Sequence, residues 1–312
     1  MKNYLLVLVF IISFLVLNAQ DQIGSMAEKS PDNSFEIGIQ YFHKENLQQA
    51  EVNFLKTLKN NPDHIDALKY LAEIAIAQKK IPIVEYYYSK VLELNTEDVD
   101  ALISLGVIQL NTGNLEQAES FLQRALENEP NNELALFNLS VLYGAAGKLS
   151  TATETLKKVI SINPGNGKYY QTLGLYFLLQ DRYSDAEAMF LKSLTLDQNL
   201  IDSRKGLVII YQNQNKLTSS QKYIHDLEVL SPNLPSLNLL KAKQYYLNNE
   251  IEMAIDYAQQ EIEENPLEPD AYYFLVDLYK IKGEDRKADA LSIAAQKLNE
   301  MDNAKQLSKN KR

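Results

Sequence analysis

Residues 99–132 read VDALISLGVIQLNTGNLEQAESFLQRALENEPNN. Leu105 and Gly106 fall in one amphipathic stretch, Ala118 and Leu122 in a second, and Pro130 closes the segment. Residues three or four apart share a helix face and proline stops a helix, so the segment reads as two helices and a break. Gly106 and Ala118 are the small pair that lets two antiparallel helices cross closely.

The same pattern returns every 34 residues without insertion or deletion. The alanine column is Ala50, Val84, Ala118, Ala152, Ala186, Ser220, Ala254 and Ala288, and the small column twelve residues earlier runs from Gly38 to Val276. An apolar column (Ile37, Leu71, Leu105, Leu139, Leu173, Leu207, Lys241, Leu275) precedes a largely aromatic one four residues on, with Tyr41, Tyr143, Phe177, Tyr211, Tyr245 and Tyr279. The second helix offers Phe54, Tyr88, Leu122, Leu156, Phe190 and Ile224, and most units end near a proline, at 62, 130, 164, 232 and 266.

These columns resemble the tetratricopeptide repeat, with its Leu-Gly pair, aromatics, alanine and terminal proline at matching intervals. The family's leading Trp position is filled here by residues such as Leu102 and Leu136. The resemblance covers residues 31–302 as eight units starting near 31, 65, 99, 133, 167, 201, 235 and 269. It implies an all-α fold, an α-α superhelix, the right-handed solenoid of helix-turn-helix repeats. A single pair cannot bury its apolar face, so each unit must pack against its neighbours. Units six and seven break the columns at Arg204, Val208, Ser220, Asn238 and Lys241. Either the array softens there, or the first helix of unit seven is rotated by about a residue so that Leu237 and Leu240 turn inward.

Composition agrees with a helical body. Only 11 Gly and 9 Pro occur in 312 residues, and 46% of the chain is hydrophobic. The net charge of −10 disfavours nucleic acid as a partner, and the lack of cysteine excludes disulfides, thiolate metal sites and thiol nucleophiles.

Residues 1–20 have the layout of a secretory signal: Lys2, an apolar stretch from Tyr4 to Leu17, then Asn18-Ala19-Gln20. Fourteen residues fall short of the roughly 20 needed to span a bilayer, which favours cleavage after Ala19 or Gln20. An uncleaved segment would tether the same body to a membrane. Residues 21–30 read as a linker and residues 303–312 as a basic tail, whose Lys305, Lys309, Lys311 and Arg312 are expected to be solvated.

No catalytic or metal constellation stands out. His43, His64 and His225 occupy unrelated positions, and neither a nucleophile elbow nor a phosphate loop is present. Gly144 and Gly147 are expected at a turn between helices. The sequon Asn138-Leu139-Ser140 falls within a helix, and the run Glu261-Ile262-Glu263-Glu264 reads as a solvated helix face. The chain is therefore expected to be non-enzymatic and without cofactor or metal.

In the family the first helices line a groove. Two positions per unit there give Ile103, Val107, Phe137, Val141 and Leu175 as a nearly continuous apolar strip, the candidate peptide-binding groove. If the array curves tightly, the same residues become core. The carboxylate clamp of some relatives is not matched, since Lys69 is followed by Glu73, and Asn138 alone does not make an asparagine ladder. The expected function is an exported scaffold or adaptor, periplasmic or secreted if bacterial, that binds another protein or peptide segment. The alternative is a protein that binds cell-envelope glycan or cell wall. Membrane contact is expected only if the signal is uncleaved.

Overall fold

The computed structural model describes residues 33–309, with side chains through Met301. The expected signal (1–20), the linker (21–30) and residues 310–312 lie outside the described residues. Among the described residues there are sixteen α-helices and no strand. They form two compact units, one ending at Thr96 and one beginning at Glu97.

The first unit contains α1 (Ser34–His43), α2 (Leu47–Asn60), α3 (Ile65–Ala77) and α4 (Ile81–Leu94). A Cβ added to Gly38 would lie 2.6 Å from the Phe54 ring, so glycine is what allows α1 to rest on α2. Phe54 is fully buried and stacks on Tyr70 at 4.9 Å, joining the α1–α2 hairpin to α3. Burying a side chain of that size contributes about 1.5–3 kcal/mol. His64 is the N-cap of α3: its Nδ1 accepts from the Ala67 N–H at 3.2 Å.

The second unit contains α5 (Val99–Thr112), α6 (Leu115–Asn128), α7 (Glu133–Ala145), α8 (Leu149–Ile162), α9 (Gly167–Leu178), α10 (Tyr183–Leu196), α11 (Ile201–Asn213), α12 (Leu217–Leu230), α13 (Leu237–Leu247), α14 (Ile251–Glu264), α15 (Pro269–Ile281) and α16 (Asp285–Lys309). Consecutive helices pair as hairpins, and each second helix also packs on the first helix of the next hairpin. Ala118, Ala152, Ala186, Ser220, Ala254 and Ala288 all have no exposed surface, as a close-crossing column requires. Asp98 and Asn132 cap α5 and α7, accepting from Ala101 N–H at 3.0 Å and Ala135 N–H at 2.9 Å.

A further column appears only in the backbone. Glu45, Lys79, Gly113, Gly147, Asp181, Asn215, Asn249 and Gly283, spaced by 34, all have φ between +54° and +85°. Each ends the first helix of a hairpin. The N–H of the next residue reaches back five residues, as Lys80 does to the Ala75 carbonyl at 2.9 Å and Asn114 to that of Gln109 at 2.9 Å. This is the Schellman closure, and it needs a left-handed residue.

Two expectations are corrected. Gly144 lies inside α7, not in the turn: a Cβ there would be 2.7 Å from the Tyr176 ring, whose hydroxyl donates to the Ser140 carbonyl at 2.9 Å. Gly147 alone makes the turn, at φ +72°. Glu261 is not solvated: it is 1% exposed, because it serves the start of α13. Pro235 and Ser236, the latter at φ +67°, delay that helix to Leu237, and both Leu237 and Leu240 are buried. Lys241 is left at the edge, paired with Glu228 at 2.6 Å. Of the two readings of unit seven, the rotated helix describes this geometry.

Candidate partner-binding face

The first helices of the second unit form one layer. Successive members touch directly, α5 with α7, α9 with α11, and α11 with α13. Between α7 and α9 the Tyr169 hydroxyl donates to the Glu133 carboxylate, which also accepts from Asn163 Nδ2 at 3.0 Å. Phe137 meets the Tyr169 ring at 5.0 Å. These contacts hold the face of the layer in register.

On this face the predicted strip is brought together unevenly. Ile103 is 4% exposed and belongs to the core, Val107, Phe137 and Val141 are half-buried, and Leu175 is 46% exposed. Two residues that the sequence reading passed over extend it: Leu134 on α7 and Leu179 just past α9, both more than half exposed. Leu134, Phe137 and Val141 follow a three-then-four spacing, and Leu175 and Leu179 are four apart, so each set lies along one side of its helix. The signal was available, since both positions recur in the 34-residue frame. It was missed because only two positions per unit were followed.

The electrostatics of the layer are those of a scaffold. Burial, and then the facing Glu133 carboxylate, pushes the Tyr169 phenol up to about 12. Burial together with Glu119 raises Tyr143, which donates to that carboxylate at 3.0 Å, and burial with Glu187 raises Tyr211, which donates at 2.8 Å. A phenol held protonated is a permanent donor to its carboxylate, so these pairs tie each first helix to a neighbouring helix across the whole physiological pH range. No cluster of three His, Asp or Glu that could hold a metal occurs among the described residues. His225 is exposed beside Glu228 at 3.7 Å. Among the described residues no helix is long and apolar enough to cross a membrane.

Layered helical hairpins with a 34-residue period define a helical-repeat protein of the solenoid class. Residues 85–140 and 134–166 match models of the tetratricopeptide repeat, so the chain carries repeats of that kind. Among solved structures, pilF of Pseudomonas aeruginosa is 25% identical with a TM-score of 0.54, over 64% of this chain and 91% of that one. A tetratricopeptide repeat protein from Parabacteroides merdae is 18% identical with a TM-score of 0.59, over 90% and 98%. PilW, a widely conserved type IV pilus biogenesis factor, is 17% identical with a TM-score of 0.60, over 69% and 99%. No curated protein matches. The fold is all-α and of the tetratricopeptide-repeat kind.

Proposed function

We propose that the chain is an exported, non-enzymatic scaffold of eight tetratricopeptide units that binds a protein or peptide segment along the face of α5, α7 and α9. The observation that carries this reading is the row of aliphatic side chains, Leu134, Val141, Leu175 and Leu179, on adjacent first helices, where Leu134 is 56%, Leu175 46% and Leu179 58% exposed. Contiguous exposed apolar surface marks an interaction site more often than isolated leucines do. Export rests on residues 1–20, whose charged start and short apolar core fit a signal that is removed. The glycan alternative finds less support, because its rings are used in packing: Tyr169, Tyr176, Tyr211 and Tyr279 are each no more than 7% exposed.

The test is affinity capture from an envelope extract with the body from residue 21 onward, beside a Val141→Glu, Leu175→Glu variant of matched circular dichroism. One protein held by the parent and lost by the variant is expected. Equal capture by both would contradict the assignment of the face, and capture of glycan in place of protein would replace it with the wall-binding reading.

A further inference from the structure

A second feature lies on the opposite side of the layer, where second helices of successive hairpins flank a first helix. In two hairpins a tyrosine of the second helix fills this place. Tyr223 of α12 stacks on Tyr211 of α11 with ring centroids 5.8 Å apart, and Tyr257 of α14 stacks on Tyr245 of α13 at 5.2 Å and 7° between planes. Lys241, from the first helix, stands over the Tyr257 ring at 5.3 Å.

The next hairpin has the first tyrosine and lacks the second. Tyr279 of α15 is the 34-residue counterpart of Tyr245, but Leu291 of α16 stands where Tyr257 does, with Ala290 beside it. The space a ring would take is open: a cavity of about 430 Å³ is lined by Ile262, Leu275, Tyr279, Ala290 and Leu291, with Gln259, Glu263 and Lys287 also contributing. That lies within the range of roughly 300–1,000 Å³ usual for ligand sites. In the fourth hairpin the short side chain at this place is Thr155, and there the Glu119 carboxylate accepts from Tyr143.

We propose that the cavity between α14, α15 and α16 receives a tyrosine side chain presented by a partner protein. The chain shows twice what fits there, a phenol ring laid on the tyrosine of the first helix. Offset aromatic pairs contribute about 0.5–1.5 kcal/mol beyond the area they bury. The apolar floor of Leu275 and Ile262 suits the ring, and the Glu263 carboxylate at the lining offers a phenol O–H an acceptor, as Glu187 does for Tyr211. Gln259 already donates to the Tyr279 hydroxyl at 2.8 Å and Lys287 lies over its ring at 5.0 Å, so the platform is held in place before anything binds. This site is independent of the aliphatic face of α7 and α9.

The probe is N-acetyl-tyrosine amide, titrated into the protein from residue 21 onward with methyl-labelled Leu and Ile, beside N-acetyl-leucine amide. A ligand of this size is expected to bind at about 1 mM, shifting the methyls of Ile262, Leu275 and Leu291, with the leucine derivative at least several-fold weaker. Leu291→Tyr, which supplies the chain's own ring, is expected to abolish the shifts at Ile262 and Leu275. Should that variant misfold, Ala290→Met narrows the mouth and is expected to weaken binding about tenfold. Absence of shifts at the three methyls, equal binding of the leucine derivative, or shifts that survive both substitutions would overturn the proposal.

Discussion

The carboxylate of Glu261, on α14, accepts a hydrogen bond from the backbone N–H of Ser236 at 2.9 Å, before α13 begins. It also accepts from Leu239 N–H at 3.3 Å and from Asn265 Nδ2 at 2.8 Å. The side chain of Ser236 does not cap its own helix, so the following helix provides the cap instead. At the same column other hairpins carry Val91, Ala125, Val159, Ser193 or Leu227, which explains how a carboxylate came to be buried in a packing position.

Replacing Glu261 by Leu restores the apolar column but leaves two N–H groups without their acceptor. Stability is expected to fall by about 1–3 kcal/mol, the usual cost of stranding buried donors. Urea titration would read the loss, and hydrogen exchange would place it in residues 237–247. Unchanged protection there would show that the cap is dispensable.

Phe190 is gripped from two sides. Cβ atoms at Gly174 and Gly206 would lie 2.7 Å and 2.3 Å from its ring, so α9 and α11 both close on α10 through glycine. Gly206→Ala is expected to cost about 1–3 kcal/mol by overpacking. Adding Phe190→Leu to Gly206→Ala should return part of that loss, measured as a non-additive double-mutant cycle.

Lys79 holds φ +57° in the Schellman turn between α3 and α4. A left-handed conformation costs a residue with a Cβ about 1–2 kcal/mol, part of which glycine returns through its larger unfolded-state entropy. Lys79→Gly is expected to stabilise the protein by about 0.5–1 kcal/mol in thermal or denaturant unfolding. No gain, or a loss, would show that the Lys79 side chain contributes more than its backbone strain.

The raised phenols give the alkaline limb of stability. Tyr169 loses its proton at about pH 10 when unfolded and at about 12 when folded, so the folded state holds the proton more tightly. Its contribution is fully present below pH 10 and is lost as pH rises from there toward 12. Tyr143 and Tyr211 shift in the same direction. Denaturant midpoints are expected to be flat from pH 7 to about 9.5 and then to fall, and to fall less steeply in a Tyr169→Phe variant.

Much of this architecture is legible in the sequence because a repeat averages its own noise. Val84 and Ser220 break the alanine column, yet the interval on either side stays at 34. The left-handed column is hidden because Glu45, Lys79 and Asp181 stand where Gly113 and Gly147 would have signalled it. The turn is fixed by hydrogen bonds that reach back five residues, and these override local preference. Unit seven could be narrowed only to two alternatives, since neither the backbone twist at Ser236 nor the reach of Glu261 across 25 residues has a local signature. The binding face was half legible. Periodicity locates Val141 and Leu175 on one side of their helices, but only the packed layer separates exposed Leu175 from buried Ile103.

The account rests most directly on the aliphatic face being where a partner sits. Photo-crosslinking in the producing cell tests this, with p-benzoyl-phenylalanine in place of Leu175 or Leu179 and, as a control on α12, in place of Val229, which is 69% exposed. Adducts to one and the same protein from positions 175 and 179, and none from 229, are expected. Adducts from 229 alone, or from none of the three while the protein is folded and abundant, would contradict the central claim.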